Sequence, residues 1–339
     1  MKTGKLKIDL LKTILEKYSI LDPRVVIGPK VGEDAAVIDL GEGADHYCVV
    51  TSDPITFTTE EIGYYGVVVN LNDIATMGAI PRWFLATLLF PEEKADLESV
   101  EKVFKQIHHA CRRFGISFVG GHTEVTPGIE KTILSGHMIG EVKKGRLVTT
   151  GGARVGDLLI LVKGVCIEGT SIIAREKEKE LLAKGIPLSL VRKAKDFIFD
   201  PGIDILQAAR IACDAVSVHS MHDPTEGGLI NGLVEMAWAS EKEIEVNLKE
   251  VHVYEESRIL CKAYGLNPLG VIASGALLLT ISPTDLSTLQ NAFRKASIPL
   301  QVIGQVKEGP GKVFTREGKE IKPFSQDEIL KIDSTGKMK

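Results

Sequence analysis

Gly32-Glu33-Asp34-Ala35-Ala36-Val37-Ile38 is the stretch on which the reading of this chain turns. A glycine and two adjacent acids run directly into an apolar, strand-like segment. A carboxylate entering a strand costs free energy unless it is solvated, paired or bound to a metal. Gly32 permits a tight backbone, and Asp34 could then ligate a hard cation such as Mg²⁺. An ordinary acidic turn ahead of a strand would read the same way, so the choice depends on the rest of the chain.

Other polar stretches interrupt apolar runs downstream. Tyr47–Ser52 reads as a strand ending in Thr51-Ser52-Asp53-Pro54, and the proline biases Asp53 toward an extended backbone that aims its carboxylate out of the sheet end. The spacing predicts a helix over 60–78, in which Asn70, Asn72 and Asp73 break a run of small and apolar residues. Asn70 and Asp73 are three apart and share a face, either a solvated or a functional one. The apolar surroundings predict that this helix is buried on most sides. A short strand, Ile116–Val119, then runs into Gly120-Gly121-His122-Thr123-Glu124. That segment reads either as a plain Gly-Gly turn or as backbone N–H groups brought close to an anion.

In the second half, Met221-His222-Asp223-Pro224-Thr225-Glu226-Gly227-Gly228-Leu229 leads into a helix predicted over Ile230–Ala239. Asp223 and Thr225 supply capping oxygens, and Gly227 and Gly228 open the helix with free N–H groups. This is either a phosphate seat or a capped helix start. Helices are also predicted over 5–21, 96–114, 168–182, 203–213 and 283–296. Strands are predicted over 35–40, 82–90, 132–142, 158–162, 216–219, 269–281 and 302–306.

The composition is that of a globular protein with length for two cores: 339 residues, 44% hydrophobic, 25% charged, mean hydropathy +0.09. A net charge of −4 without a long Lys/Arg run speaks against a nucleic-acid footprint. No apolar run approaches membrane-spanning length, and Met1-Lys2-Thr3-Gly4 leads into no signal-peptide core, so a soluble cytoplasmic protein is expected. Cys48, Cys111, Cys166, Cys213 and Cys261 are far apart with no C-x-x-C pair, which gives zinc and dithiol redox chemistry little support. Each reads as a reduced, buried thiol. The glycine density of Gly151–Gly156 places a domain boundary: an N-terminal domain over 1–152, a C-terminal domain over 153–330 and a loose polar tail over 331–339.

Taken in order, these motifs resemble those of the aminoimidazole ribonucleotide synthetase-like (PurM-like) superfamily of ATP-dependent enzymes, over nearly the whole chain. The matching stretches are Gly32-Glu33-Asp34-Ala35-Ala36-Val37, Thr51-Ser52-Asp53, Asn70-x-Asn72-Asp73-Ile74-Ala75-x-Met77-Gly78-Ala79-x-Pro81 and Gly120-Gly121-His122-Thr123. The resemblance implies an α/β (α+β type) fold of two domains, with the N-terminal domain pairing into a β-barrel-like core of a homodimer. It implies ATP and Mg²⁺ as cofactors, with Asp34, Asp53 and Asp73 holding the metal. A triphosphate needs bridging cations before carboxylates can approach it. Gly32, Asn70, Gly120, Gly121, Thr123, Asp223, Thr225, Gly227 and Gly228 would then line the ATP and substrate site, and His122 or Glu124 would move a proton.

Within the superfamily, Asn70–Pro91 is similar to thiamine-monophosphate kinases as well as to the hydrogenase maturation factors of the HypE type. His222–Leu229 and Asn267-Pro268-Leu269 are more similar to HypE, which is known as a carbamoyl dehydratase acting on its own C-terminal cysteine. Two departures stand out. The sequence printed ends Asp333-Ser334-Thr335-Gly336-Lys337-Met338-Lys339 without a cysteine, and Ala273-Ser274-Gly275 stands where the family has an acid. The expectation is an ATP-dependent enzyme that activates an amide-like or phosphorylatable oxygen, HypE-like or a paralogue acting on a free small molecule. The alternatives are a thiamine-monophosphate kinase-like enzyme and a non-catalytic nucleotide-binding partner of a maturation complex.

Overall fold

The computed structural model describes residues 4–6 and 8–332, so residues 333–339 of the expected loose tail lie outside the described residues. The chain divides into two compact units. One comprises Asp22–Gly28 and Ala35–Leu147. The other comprises the N-terminal segment to Leu21, which carries helix α1 (Ile8–Leu15), then Pro29–Asp34, and the chain from Val148 onward. The units are therefore interleaved in sequence rather than split at one point. Gly32, Glu33 and Asp34 belong to the second unit, whereas the strand they lead into belongs to the first.

The first unit contains β1 (Val25–Ile27), β2 (Ala36–Asp39), β3 (His46–Ile55), α2 (Ile62–Thr76), β4 (Ile80–Pro91), α3 (Leu97–Phe114), β5 (Ser117–Thr126) and β6 (Ile133–Lys143). Among the described residues its six strands form one open sheet in the order β1-β2-β3-β6-β4-β5, with only β4 and β5 parallel. Alternation drives one face inward: Phe84, Ala86, Leu88 and Phe90 on β4, with Leu134, Met138 and Val142 on β6. Helix α2 is largely apolar, with Asn70, Asn72 and Asp73 among its residues, and is buried along its whole length. Helix α3 is bounded by an Asp96–Ser99 capping box and by Gly115 in the left-handed conformation (φ 69°).

Two local expectations change. Strand β3 does not end at Ser52 but runs to Ile55, so Asp53 sits inside it, opposite Gly136. Strand β2 pairs with β3 only as far as Val50, which leaves the end of β3 an edge on that side that tolerates Pro54. Strand β5 likewise continues through Gly120 and Gly121 instead of turning there. A Cβ on Gly121 would lie 1.9 Å from the Ala86 carbonyl oxygen. The glycine serves close approach of two strands rather than a turn.

The second unit continues with β7 (Leu158–Val162), α4 (Ile167–Glu176), α5 (Glu178–Ala183), α6 (Leu188–Lys195), α7 (Leu206–Ala215), β8 (Val218–His222), α8 (Gly228–Ser240), β9 (Glu243–Val246), α9 (Glu255–Ala263), β10 (Leu277–Ile281), α10 (Leu286–Lys295), β11 (Leu300–Lys307), β12 (Val313–Thr315) and β13 (Glu320–Ile321). Its sheet has the order β13-β12-β9-β11-β7-β10-β8. Leu229, Leu233 and Met236 of α8 pack with Leu159, Leu161, Ile244, Leu278 and Ile303 from the sheet. The single helix expected over 168–182 breaks at Lys177 into α4 and α5. The strand expected from Leu269 begins only at Leu277, because Pro268–Gly270 forms a 3-10 turn and Gly275 takes φ 100°.

In the first unit, Gly136 lies close against the side chain of Asn70. A Cβ there would lie 2.4 Å from Asn70 Nδ2 and 2.9 Å from Phe84 Cε2. Gly136→Ala is expected to destabilise by about 1–3 kcal/mol through overpacking. Urea denaturation checks this; an unchanged or higher midpoint would contradict the packing.

Candidate functional site

In the second unit, Asp34 ends its segment beside the C-terminal end of β8. His222 Nδ1 lies 2.8 Å from Asp34 Oδ1, and its Nε2 lies 3.0 Å from Glu235 Oε2 on α8. His222 and Asp223 are buried. One ligand atom each from Asp34, His222 and Asp223 falls within 4.8 Å of the others. Burial works against a charged imidazole, but the carboxylates of Asp34 and Glu235 outweigh it and hold the His222 pKa well above the usual value. Burial likewise pushes Glu235 up, yet Lys5 and His222 together bring it below the ordinary carboxylate range. With a carboxylate on each ring nitrogen, the imidazole donates both protons. The cluster's oxygen ligands are those of Asp34 and Asp223, a hard donor type that fits Mg²⁺.

The neighbouring acid does other work. Glu33 accepts the N–H of Thr150 at 3.0 Å and of Gly151 at 3.1 Å. Burial raises its pKa, and these two bonds act against the rise. Gly32 (φ 88°) passes so close to α8 that a Cβ would lie 2.9 Å from the Glu235 carbonyl oxygen. Alongside the cluster is a cavity of about 880 Å³ whose lining includes Lys5, Asp34, His222, Glu226, Trp238 and Phe324.

The start of α8 is more occupied than the sequence suggests. Gly227 N–H donates to Asp327 Oδ2 at 2.7 Å, and Gly228 N–H donates to the Thr225 carbonyl at 3.0 Å. Lys5 Nζ donates to Thr225 Oγ1 at 2.9 Å. Asp327, whose pKa burial pushes up to about 7, accepts the Gly227 N–H in the place an anion would otherwise take.

The first unit holds the other candidates. Asn70 and Asp73 do not form a solvated face: they are 0% and 5% exposed. Asn70 Oδ1 accepts the Asp53 N–H at 2.9 Å, while its Nδ2 donates to the carbonyls of Asp53 (3.2 Å) and Gly66 (2.9 Å). Thr51 Oγ1 donates to Asp73 Oδ2 at 2.6 Å. His122 and Glu124 share one face of β5, with Nε2 3.0 Å from Oε2, and both are exposed. Hydrogen bonds from His122 and then Thr126 lower the Glu124 pKa. Thr123 lies between them and Gly120 precedes them on the same exposed edge strand. The structure thus joins Asp34 with Asp223, Asp53 with Asn70, Asp73 with Thr51, and His122 with Glu124. Sequence reading missed His222 and Glu235 as site residues. His222 had a signal, its place beside Asp223; Glu235, within a helix, had none.

Residues 32–142 match the AIR synthase related protein N-terminal domain, and residues 154–317 match the corresponding C-terminal domain. The chain belongs to the AIR synthase-related family. Its mixed helix-and-sheet, two-domain organisation is PurM-like, with no closed barrel among the described residues. This family member is 27% identical to a protein of Methanocaldococcus jannaschii named for hydrogenase expression/formation, covering 83% of this chain and 81% of that one. It is 26% identical to the selenide, water dikinase of the same organism, over 92% and 91%. Among solved structures, it is similar in fold to AaThiL complexed with AMPPCP and TMP (TM-score 0.70, 22% identity, 94% and 96% covered). A second fold relative is the hydrogenase maturation protein HypE in complex with ATP (TM-score 0.65, 22% identity, 94% and 91% covered). No helix among its described residues is long and apolar enough to cross a membrane.

His222→Ala removes the imidazolium that two carboxylates of the AIR synthase-related chain share and is expected to cost about 3–5 kcal/mol near pH 6. Because the folded pKa of His222 is raised, its stabilisation is complete below the unfolded value of about 6.5 and is lost as pH rises through the folded value. The difference between wild type and variant should therefore shrink with rising pH. Urea unfolding in chelator-containing buffer measures it; a pH-independent difference would show that His222 is not charged there.

Proposed function

We propose that this chain is an ATP- and Mg²⁺-dependent enzyme that activates an amide-like or phosphorylatable oxygen of a small molecule by phosphoryl transfer. The observation that carries the reading is the Asp34–His222–Asp223 cluster, of which Asp34 and His222 line a cavity large enough for a small molecule. Family membership supports it, as do the fold relatives whose titles name ATP or AMPPCP. Asp34, Asp53 and Asp73 are the residues proposed for metal, with Asp223 beside Asp34. When bound, Mg²⁺ would offset the charge of the phosphates. His222 and Glu235 position Asp34. Asn70 fixes the backbone at Asp53, and Thr51 orients Asp73. Gly32, Gly120, Gly121, Thr123, Thr225, Gly227 and Gly228 remain proposals for contact with nucleotide or substrate. His122 and Glu124 form a hydrogen-bonded pair suited to passing a proton. A homodimer paired through the first unit is part of the same proposal.

The relative named for hydrogenase expression/formation supports a maturation role, with a maturation-complex protein as partner. A small-molecule kinase is the second reading, supported by the selenide, water dikinase relative and by the fold relative whose title names TMP. Measuring ADP release from ATP with and without thiamine monophosphate separates the two.

Asp34→Asn should lower Mg²⁺-dependent ATP affinity by about 10-fold or more while the protein stays folded. Titration calorimetry with and without Mg²⁺ reads this directly. Undiminished affinity in the variant, or absence of ATP binding by the wild type with Mg²⁺ present, would sink the proposal.

A further inference from the structure

The cysteine spacing gave dithiol chemistry little support, yet the second unit brings two thiols together. Cys166 Sγ lies 3.7 Å from Cys261 Sγ, across 95 residues of chain. Both side chains are buried, at 0% and 1% exposure. Cys166 stands at the entry to α4 and takes φ 63°, a left-handed conformation that residues with a Cβ seldom adopt. Cys261 lies on α9. The surroundings fix both ends. The Thr170 hydroxyl is 2.6 Å from the Cys166 carbonyl oxygen and 2.6 Å from Ser257 Oγ, so it already joins α4 to α9 beside the thiols.

We propose that Cys166 and Cys261 are an oxidation site, closing to a buried intramolecular disulfide that ties the start of α4 to α9. A covalent S–S bond is about 2.05 Å long, so the sulfurs must approach by less than about 2 Å. The electron acceptor is a small disulfide or azo compound. With the azo reagent diamide, one thiolate adds to an N=N nitrogen, forming an S–N bond. The second sulfur then attacks the first, the S–S bond forms and the S–N bond breaks. The diamide leaves as its hydrazine with the two thiol protons and two electrons. Nothing else is consumed.

The environment sets the rate. Contact with Cys166 and then burial push the Cys261 thiol well up, so little thiolate is present at neutral pH. Closure is therefore slow and rises with pH and with warming. Once formed, the bond is shielded from thiol reductants by the same burial. The tie reaches the cavity wall. After α9, Asn267 N–H donates to Glu328 Oε2 at 3.0 Å, and the adjacent Asp327 lines the cavity.

The test uses the folded full-length protein with Cys48→Ser and Cys213→Ser, which removes the two half-buried thiols. Incubation with diamide at pH 8.5, alkylation and peptide mass mapping should give a Cys166–Cys261 linked peptide, two hydrogens lighter than the reduced pair. Oxidation should raise the thermal midpoint by about 5 °C or more, given the long loop it closes, and dithiothreitol on the unfolded protein should reverse it. Adding Cys261→Ser should abolish the oxidant-dependent shift, whatever that substitution does to the midpoint itself. Independent alkylation of both thiols after diamide treatment would overturn the proposal. So would a linked peptide that leaves the midpoint unchanged.

Discussion

Asp34 and Glu235 meet on opposite nitrogens of one buried histidine, and the second unit depends on that ion triad. Three ionisable groups leave water together, which is costly for each, and the cost is met only because the two carboxylates share one imidazolium. The triad ties three sequence-distant pieces of the same unit: the Pro29–Asp34 segment, the end of β8 and the middle of α8. Glu33 adds a second tie, to Thr150 and Gly151, and Gly32 allows the contact with α8 by having no side chain. Asp34 therefore arrives in position with the two residues before it held in place.

That arrangement has an electrostatic consequence. The positive charges on His222 and on Lys5 beside Glu235 offset the carboxylates of Asp34 and Glu235. A divalent cation on the oxygens of Asp34 and Asp223 would place a like charge near the imidazolium and would favour losing its proton. Metal binding and proton release at His222 would then be linked, and Lys5, which helps to lower Glu235, would remain beside that carboxylate. The first unit solves the same problem of holding acids differently. At two of them it uses hydrogen bonds from neutral groups, with Asn70 on the backbone of Asp53 and Thr51 on the carboxylate of Asp73.

Much of this was legible in the sequence where the signal was periodic. Helix α2 was expected to be buried because apolar residues surround it, and a strand was expected over 82–90, where β4 lies. The order of the acidic and glycine motifs carries the family resemblance in the sequence itself. What stayed illegible was pairing at long range. Gly120-Gly121 reads locally as a turn, and only the approach of β4 makes it the middle of a strand. Gly227-Gly228 reads locally as a row of free N–H groups, but a carboxylate from Asp327, a hundred positions on, takes one of them.

The two adjacent acids show why local chemistry cannot assign roles. Glu33 and Asp34 differ by one methylene and share one backbone turn, and either could be read as the metal ligand. Their acceptors separate them: Glu33 spends both oxygens on backbone N–H groups of Thr150 and Gly151, whereas Asp34 meets a side chain that is itself titratable and held by a second acid. A carboxylate bonded by main-chain donors can leave only if that loop moves. A carboxylate bonded by a histidine can be released by moving a proton. The capacity to respond to a ligand therefore resides at Asp34, and it is conferred by Glu235 from the far side of the ring.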